Sequence, residues 1–161
     1  MKEDMTDLTK IGSLIVPDNM AGFDVRKFFQ NGAPGIKSVG PKLAQEVKGY
    51  SLCTGALGGT ISLYRASAEE TGDIPYALRD KNYPLNWWQL YWLLQWPGEE
   101  LLKALQYKDQ IGTFVQHNGN RRAVRIKLGW NEGHAIGGRP IEPNWAWNEG
   151  TIFAVREPVT Q

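Results

Sequence analysis

The stretch Asn86-Trp-Trp-Gln-Leu-Tyr-Trp-Leu-Leu-Gln-Trp96 constrains this chain more than any other segment. Trp88, Trp92 and Trp96 recur at helical spacing, Leu90, Leu93 and Leu94 fill much of the remaining circumference, and Asn86 is a residue type that caps helix N-termini. A helix that is apolar nearly all round has to be buried on several sides, in a core or in a subunit interface. It is too short to cross a bilayer, which takes about 20 residues. Pro97 suits the first position of a second helix through Leu101, Leu102, Leu105 and Tyr107, with Glu99 and Glu100 facing its positive N-terminal dipole. The remaining elements must cover this helix pair.

Those elements read as strands. Asn118-Gly119 is a strong hairpin signal, and counting back from it sets Val115 opposite Arg122, Thr113 opposite Val124 and Ile111 opposite Ile126. The core face is then Ile111, Thr113, Val115, Val124, Ile126 and Leu128. Phe114, Gln116, Arg121, Ala123, Arg125 and Lys127 take the other face. Gly58-Gly59, between Tyr50–Leu57 and Thr60–Ala66, predicts a second hairpin with Ala56 opposite Ile61 and Thr54 opposite Leu63. Thr151–Val155 is a closing strand before Pro158. The expected fold is α+β: an antiparallel sheet or partial barrel of about five or six strands, two hairpins plus the C-terminal strand, packed on the Trp-rich helix pair.

Residues 1–45 carry too little apolar periodicity to form a core alone, and are expected to be an N-terminal arm with short helices near Phe23–Phe29 and Lys42–Lys48. Ala33-Pro34-Gly35 and Val39-Gly40-Pro41 bracket a loop, and Ser67–Pro84 reads as a long surface connection. Residues 46–161 form the α+β core of one domain spanning 1–161. An arm of this kind is expected to lie along a neighbouring subunit.

Composition narrows the function. At 161 residues, with 7 Trp, 6 Tyr and 5 Phe, the chain has enough bulky apolar side chains for a core without disulfides. One cysteine, Cys53, permits no intrachain bridge, and Met-Lys-Glu-Asp has no apolar signal region, so a cytoplasmic or virion protein is expected. The net charge of +1 argues against a general polyanion binder but permits a local basic patch.

Three constellations bear on chemistry. Cys53 and His134 offer the one route to a thiol nucleophile, but Cys53 falls in a predicted strand, with no helix N-terminus to favour thiolate, which suits a buried structural cysteine. Trp-Asn-Glu-Gly occurs at 130–133 and again at 147–150. Glu132 and Glu149 are therefore a candidate carboxylate pair for a hydrolase, with Trp130, Trp145 and Trp147 as stacking surfaces; Asn-Glu-Gly also reads simply as a turn anchored by tryptophan. Arg121, Arg125 and Lys127 beside Phe114 resemble a platform for single-stranded nucleic acid, combining phosphate neutralisation with base stacking, and equally an ordinary solvated sheet face. His117, His134 and Cys53 match no metal signature, and Gly55–Gly59 lacks the lysine and helix of a phosphate loop, so no metal or cofactor is expected.

The preferred reading is a non-enzymatic interaction or structural subunit of a homo-oligomer or larger assembly, a phage or viral component among the settings that fit. Its contacts would be the N-terminal arm and the aromatic surface. A small hydrolase and a nucleic-acid-binding module are the alternatives.

Overall fold

Seven strands hydrogen-bond into one mixed sheet, with the strands Leu8–Val16 and Ile36–Val39 at its two ends among the described residues. The computed structural model describes residues 8–19, 23–33, 35–48, 57–66, 70–71, 84–98, 101, 103, 110–117, 120–128, 133–140, 146–147 and 150–157. In chain order the elements are β1 (Leu8–Val16), α1 (Val25–Phe28), β2 (Ile36–Val39), α2 (Pro41–Lys48), β3 (Gly59–Ala66), β4 (Glu70–Thr71), α3 (Trp87–Gln95), β5 (Gln110–His117), β6 (Asn120–Lys127), β7 (His134–Pro140), β8 (Ala146–Trp147) and β9 (Ile152–Arg156). The large sheet runs β1-β3-β9-β5-β6-β7-β2, and β4 pairs with β8 in a separate ribbon.

The α+β character stands, but strand count and direction differ from expectation. β9 is parallel to β5, and β2 is parallel to β7, while the other pairings are antiparallel. The sheet does not close into a barrel: among the described residues β1 and β2 each pair on one side alone. Ile36–Val39, expected as loop between glycines and prolines, is the edge strand β2: Ile36 and Val39 are buried, and β7 supplies their backbone partners.

The hairpin at Asn118-Gly119 forms in the expected register. Val115 faces Arg122, Thr113 faces Val124 and Ile111 faces Ile126, and all six predicted core residues are buried. The hairpin at Gly58-Gly59 does not form. β3 carries β1 on one edge and β9 on the other, leaving no edge for residues 50–57. Ile61 therefore faces Leu14 and Arg156, and Leu63 faces Gly12 and Ala154. Residues 51–56, with Cys53 and Thr54, lie outside the described residues.

The glycine signal there has a different cause. A Cβ on Gly58 would stand 1.8 Å from the Val16 carbonyl oxygen and 2.6 Å from the Pro17 carbonyl carbon, so the site marks a close crossing of two backbones. The Gly58 N–H donates to the Asp18 carboxylate at 2.7 Å, which holds the crossing in place.

The N-terminal segment packs on its own chain. From Leu8 onward the supposed arm is strand β1, with Leu8 opposite Ala66, Thr9 opposite Arg65 and Lys10 opposite Tyr64. Phe23, Val25, Phe29, Ile36, Val39, Leu43 and Val47 share one buried cluster with the inner face of the sheet. That cluster also holds Trp87, Trp88, Leu90, Leu93 and Leu94 of α3, so the short helices reach burial by joining the tryptophan helix over one sheet face. In the region expected to be a second helix, Gly98, Leu101 and Lys103 are helical and Leu101 is buried.

A smaller cluster forms on the other sheet face from Ala66, Phe114, Phe153 and Val155, flanked by Leu8 and Tyr64. Across its rim the Lys10 ammonium meets the Glu157 carboxylate at 2.8 Å, and the Ser62 hydroxyl also donates to Glu157. These hydrogen bonds, Lys10 first, hold the Glu157 carboxyl below its ordinary value. Among the described residues no helix is long and apolar enough to cross a membrane.

Candidate functional site

The helix α3 is fastened at its first turn, and along its outer side exposure rises from the buried Trp88 to Trp96 just past its end. The Asn86 carboxamide oxygen accepts from the Gln89 N–H at 2.8 Å, while the Asn86 N–H donates back to the Gln89 side chain at 2.8 Å, a reciprocal cap that satisfies two otherwise orphaned donors. Both side chains then reach outward: Asn86 Nδ2 donates to the Leu57 carbonyl at 2.9 Å, and the buried Gln89 Nε2 to the Gly58 carbonyl at 3.0 Å. Just before the cap, the Leu85 N–H donates to the Phe114 carbonyl at 3.0 Å, and Arg156 Nε donates to the Pro84 carbonyl at 3.2 Å. The helix start is thereby set where β5 and β9 part.

Beyond the cap an aromatic ladder climbs the outer side of α3. Phe23 stacks on Phe28 with centroids 5.1 Å apart, Phe28 meets Tyr91 at 4.8 Å, and Tyr91 lies 5.9 Å from Trp88. Trp88 contacts Trp92 at 5.7 Å, and Trp92 contacts Trp96 at 4.2 Å. Lys27 places its ammonium 5.6 Å from the Phe28 ring centroid. Trp88 is buried, Tyr91 and Trp92 are half-buried, and Trp96 is 51% exposed. The tryptophan spacing of the sequence revealed this stripe, but Phe28 and Tyr91 join it only through packing between α1 and α3.

The ladder ends beside the open edge of β1. A Cβ on Gly98, two residues past Trp96, would lie 3.8 Å from Leu14 Cδ1 on the inner side of that strand. Ile15, on the outer side, is 78% exposed. The β1 edge is thus flanked from both faces by large apolar side chains, and among the described residues no strand pairs with its outer side.

The residues singled out from sequence are scattered differently. Cys53, Trp130, Glu132, Trp145 and Glu149 lie outside the described residues, and Trp147 is described as part of the backbone pairing of β8 with β4. His134 is buried at the start of β7; burial pushes its imidazole below the ordinary histidine value, against the opposing effect of a hydrogen bond with the Leu94 backbone. That hydrogen bond places it under the C-terminal end of α3. Phe114 is fully buried against the neighbouring apolar side chains of the outer face, so its ring presents no surface to a base.

The β6 register keeps Arg121, Arg125 and Lys127 at alternate positions of one strand, Arg125 half-buried and Lys127 exposed. Arg139 of β7 stands at the register position beside Ala123, between Arg121 and Arg125, a neighbour that sequence spacing could not supply. Among the described residues no group of three or more His, Cys, Asp or Glu side chains is placed to hold a metal ion. No protein-family model, curated protein or solved structure matches this chain. The functional reading therefore rests on this geometry.

Proposed function

We propose that this protein is a non-enzymatic interaction subunit of an assembly, and that it meets a further copy of itself along β1. The observation that carries the reading is the nine-residue edge strand with Ile15 exposed on it, together with the exposed Trp96 just past the end of α3. An open edge offers a row of backbone donors and acceptors to another strand, and natural folds blunt such edges with charge, proline or cover. Here the central and C-terminal part, Ile11–Val16, has no charged residue. Exposed tryptophan is the residue type that most often anchors protein contacts. The contribution of the N-terminal arm is in this reading the free side of β1.

Light scattering of the full chain and of the Ile15→Lys and Trp96→Ser variants tests this. The expected result is an oligomer that each substitution shifts towards monomer. A wild-type chain that stays monomeric at every concentration, or an oligomer that neither variant weakens, overturns it. Point substitutions are preferred to removing residues 1–10, since that deletion also strips Leu8, Thr9 and Lys10 from their pairing with β3.

A further inference from the structure

A pocket of about 340 Å³ opens between the end of α1 and the face of α2, lined by Arg26, Phe29, Gln30, Asn31, Ala44 and Val47. It lies away from the β1 edge and has its own chemistry. Small-molecule sites occupy about 300–1,000 Å³ and combine an apolar lining with a few placed polar groups, so this one suits a small ligand. Its floor is the buried Phe29 and Val47 with half-buried Ala44. Its rim is rich in donors.

The rim donors are already oriented. Asp24 accepts from both the Arg26 N–H, at 3.1 Å, and Arg26 Nε, at 3.2 Å, which fixes the guanidinium by one side. The two terminal Nη groups have no hydrogen bond among the described residues, and an arginine so held presents a ready fork for a carboxylate. Asn31 spends its carbonyl oxygen on the Val39 N–H at 2.7 Å, which leaves its NH₂ as a donor. Gln30 donates to the Lys27 carbonyl at 3.3 Å. The charges on and beside α1 are Arg26 and Lys27 against the single carboxylate of Asp24.

We propose that this pocket binds a small apolar monocarboxylate, with the carboxylate on Arg26 and Asn31 and the hydrocarbon body against Phe29, Ala44 and Val47. The match is of sign and of shape: donors at the mouth, hydrocarbon at the base, and room for one ring or a short chain.

Benzoate is the probe, with benzamide as its neutral counterpart, followed by the amide resonances of the full-length protein. Benzoate is expected to shift the resonances of residues 26–31 and 44–47 with a dissociation constant of about 1 mM. Arg26→Gln and the exchange of benzoate for benzamide should each weaken binding about tenfold, the loss of one charge-assisted contact. Ala44→Phe should abolish it by filling the floor. Should that variant fail to fold, Arg26→Gln still decides, because half of the Arg26 side chain is exposed and its loss leaves the core intact. No saturable shift, shifts that map elsewhere, or equal binding by Arg26→Gln or of benzamide would overturn the proposal.

Discussion

The Trp88 indole N–H donates to the Pro17 carbonyl at 2.8 Å, joining α3 to the end of β1 across 71 positions of sequence. It is one of the contacts that hold the tryptophan helix on the sheet. The same indole is packed between Phe23, Tyr91 and Trp92, so one side chain serves both as an aromatic wedge and as a hydrogen-bond donor.

The two roles separate by substitution. Trp88→Phe keeps the wedge and removes the donor, and should cost about 1–2 kcal/mol from the lost bond and trimmed packing. Trp88→Ala removes both and should cost about 3–5 kcal/mol. Urea unfolding of the two variants is the measurement; a Trp88→Phe variant as stable as wild type would mean that the bond to Pro17 carries nothing, and equal losses would mean that the aromatic wedge adds nothing beyond the bond.

Gly58→Ala is predicted to be among the most damaging small substitutions in the molecule. The added methyl meets backbone atoms of Val16 and Pro17, which cannot turn aside as a side chain would. A loss above about 3 kcal/mol, or failure to fold, is expected, as for other forced overpacking. Gly32→Ala is the control: its φ of 82° strains alanine, but no atom lies within 4 Å, so about 1 kcal/mol is expected. Thermal melts that rank the two the other way would place the backbone crossing wrongly.

On β6 the two faces should answer differently. Val124→Asp puts an unpaired carboxylate into the main core, where the valine is fully buried, and should unfold the domain. Lys127→Ala changes an exposed side chain and should stay within about 0.5 kcal/mol. Circular dichroism of both variants checks the assignment, and a folded Val124→Asp would mean that the sheet is inside out.

Stability should fall as the solution is acidified through the histidine range. His134 is held below its ordinary value of 6.5 by burial, so from about pH 6.5 downward the unfolded chain takes up a proton that the folded protein refuses. The contribution is complete above the unfolded-state value and is lost as pH falls through the folded-state value. Glu157, held down by Lys10 and Ser62, adds a loss with the same sign at lower pH, through the carboxylate range. Denaturation midpoints of wild type and His134→Gln between about pH 7 and pH 5 isolate the histidine part. The variant should show the flatter dependence, and an unchanged slope would show that His134 does not carry it.

Much of what could be read in advance is local. The cap of α3 is written in Asn86 and Gln89, three residues apart. The β5–β6 register follows from a two-residue turn, and α2 and β9 fall within a residue or two of where patterning put them. Turn and cap chemistry needs only neighbours in sequence, so these elements carry their own instructions. The candidate site was half legible for the same reason: Trp88, Trp92 and Trp96 announce a stripe, but nothing in their spacing says that Trp96 is exposed while Trp88 is buried against Phe23.

The amino-acid sequence by itself thus determined that an apolar tryptophan helix must be covered, that Asn118-Gly119 turns a hairpin, and which face of that hairpin is apolar. Only the tertiary structure decided that β3 pairs with β1 and β9 instead of its chain neighbour, that β9 enters parallel to β5, that Ile36–Val39 becomes a strand, and that Phe114 and His134 are buried. The physical reason is that strand edges are chemically alike along any extended segment. Which two meet is settled by the burial that the whole sheet gains, across separations of up to 147 residues such as Lys10 to Glu157.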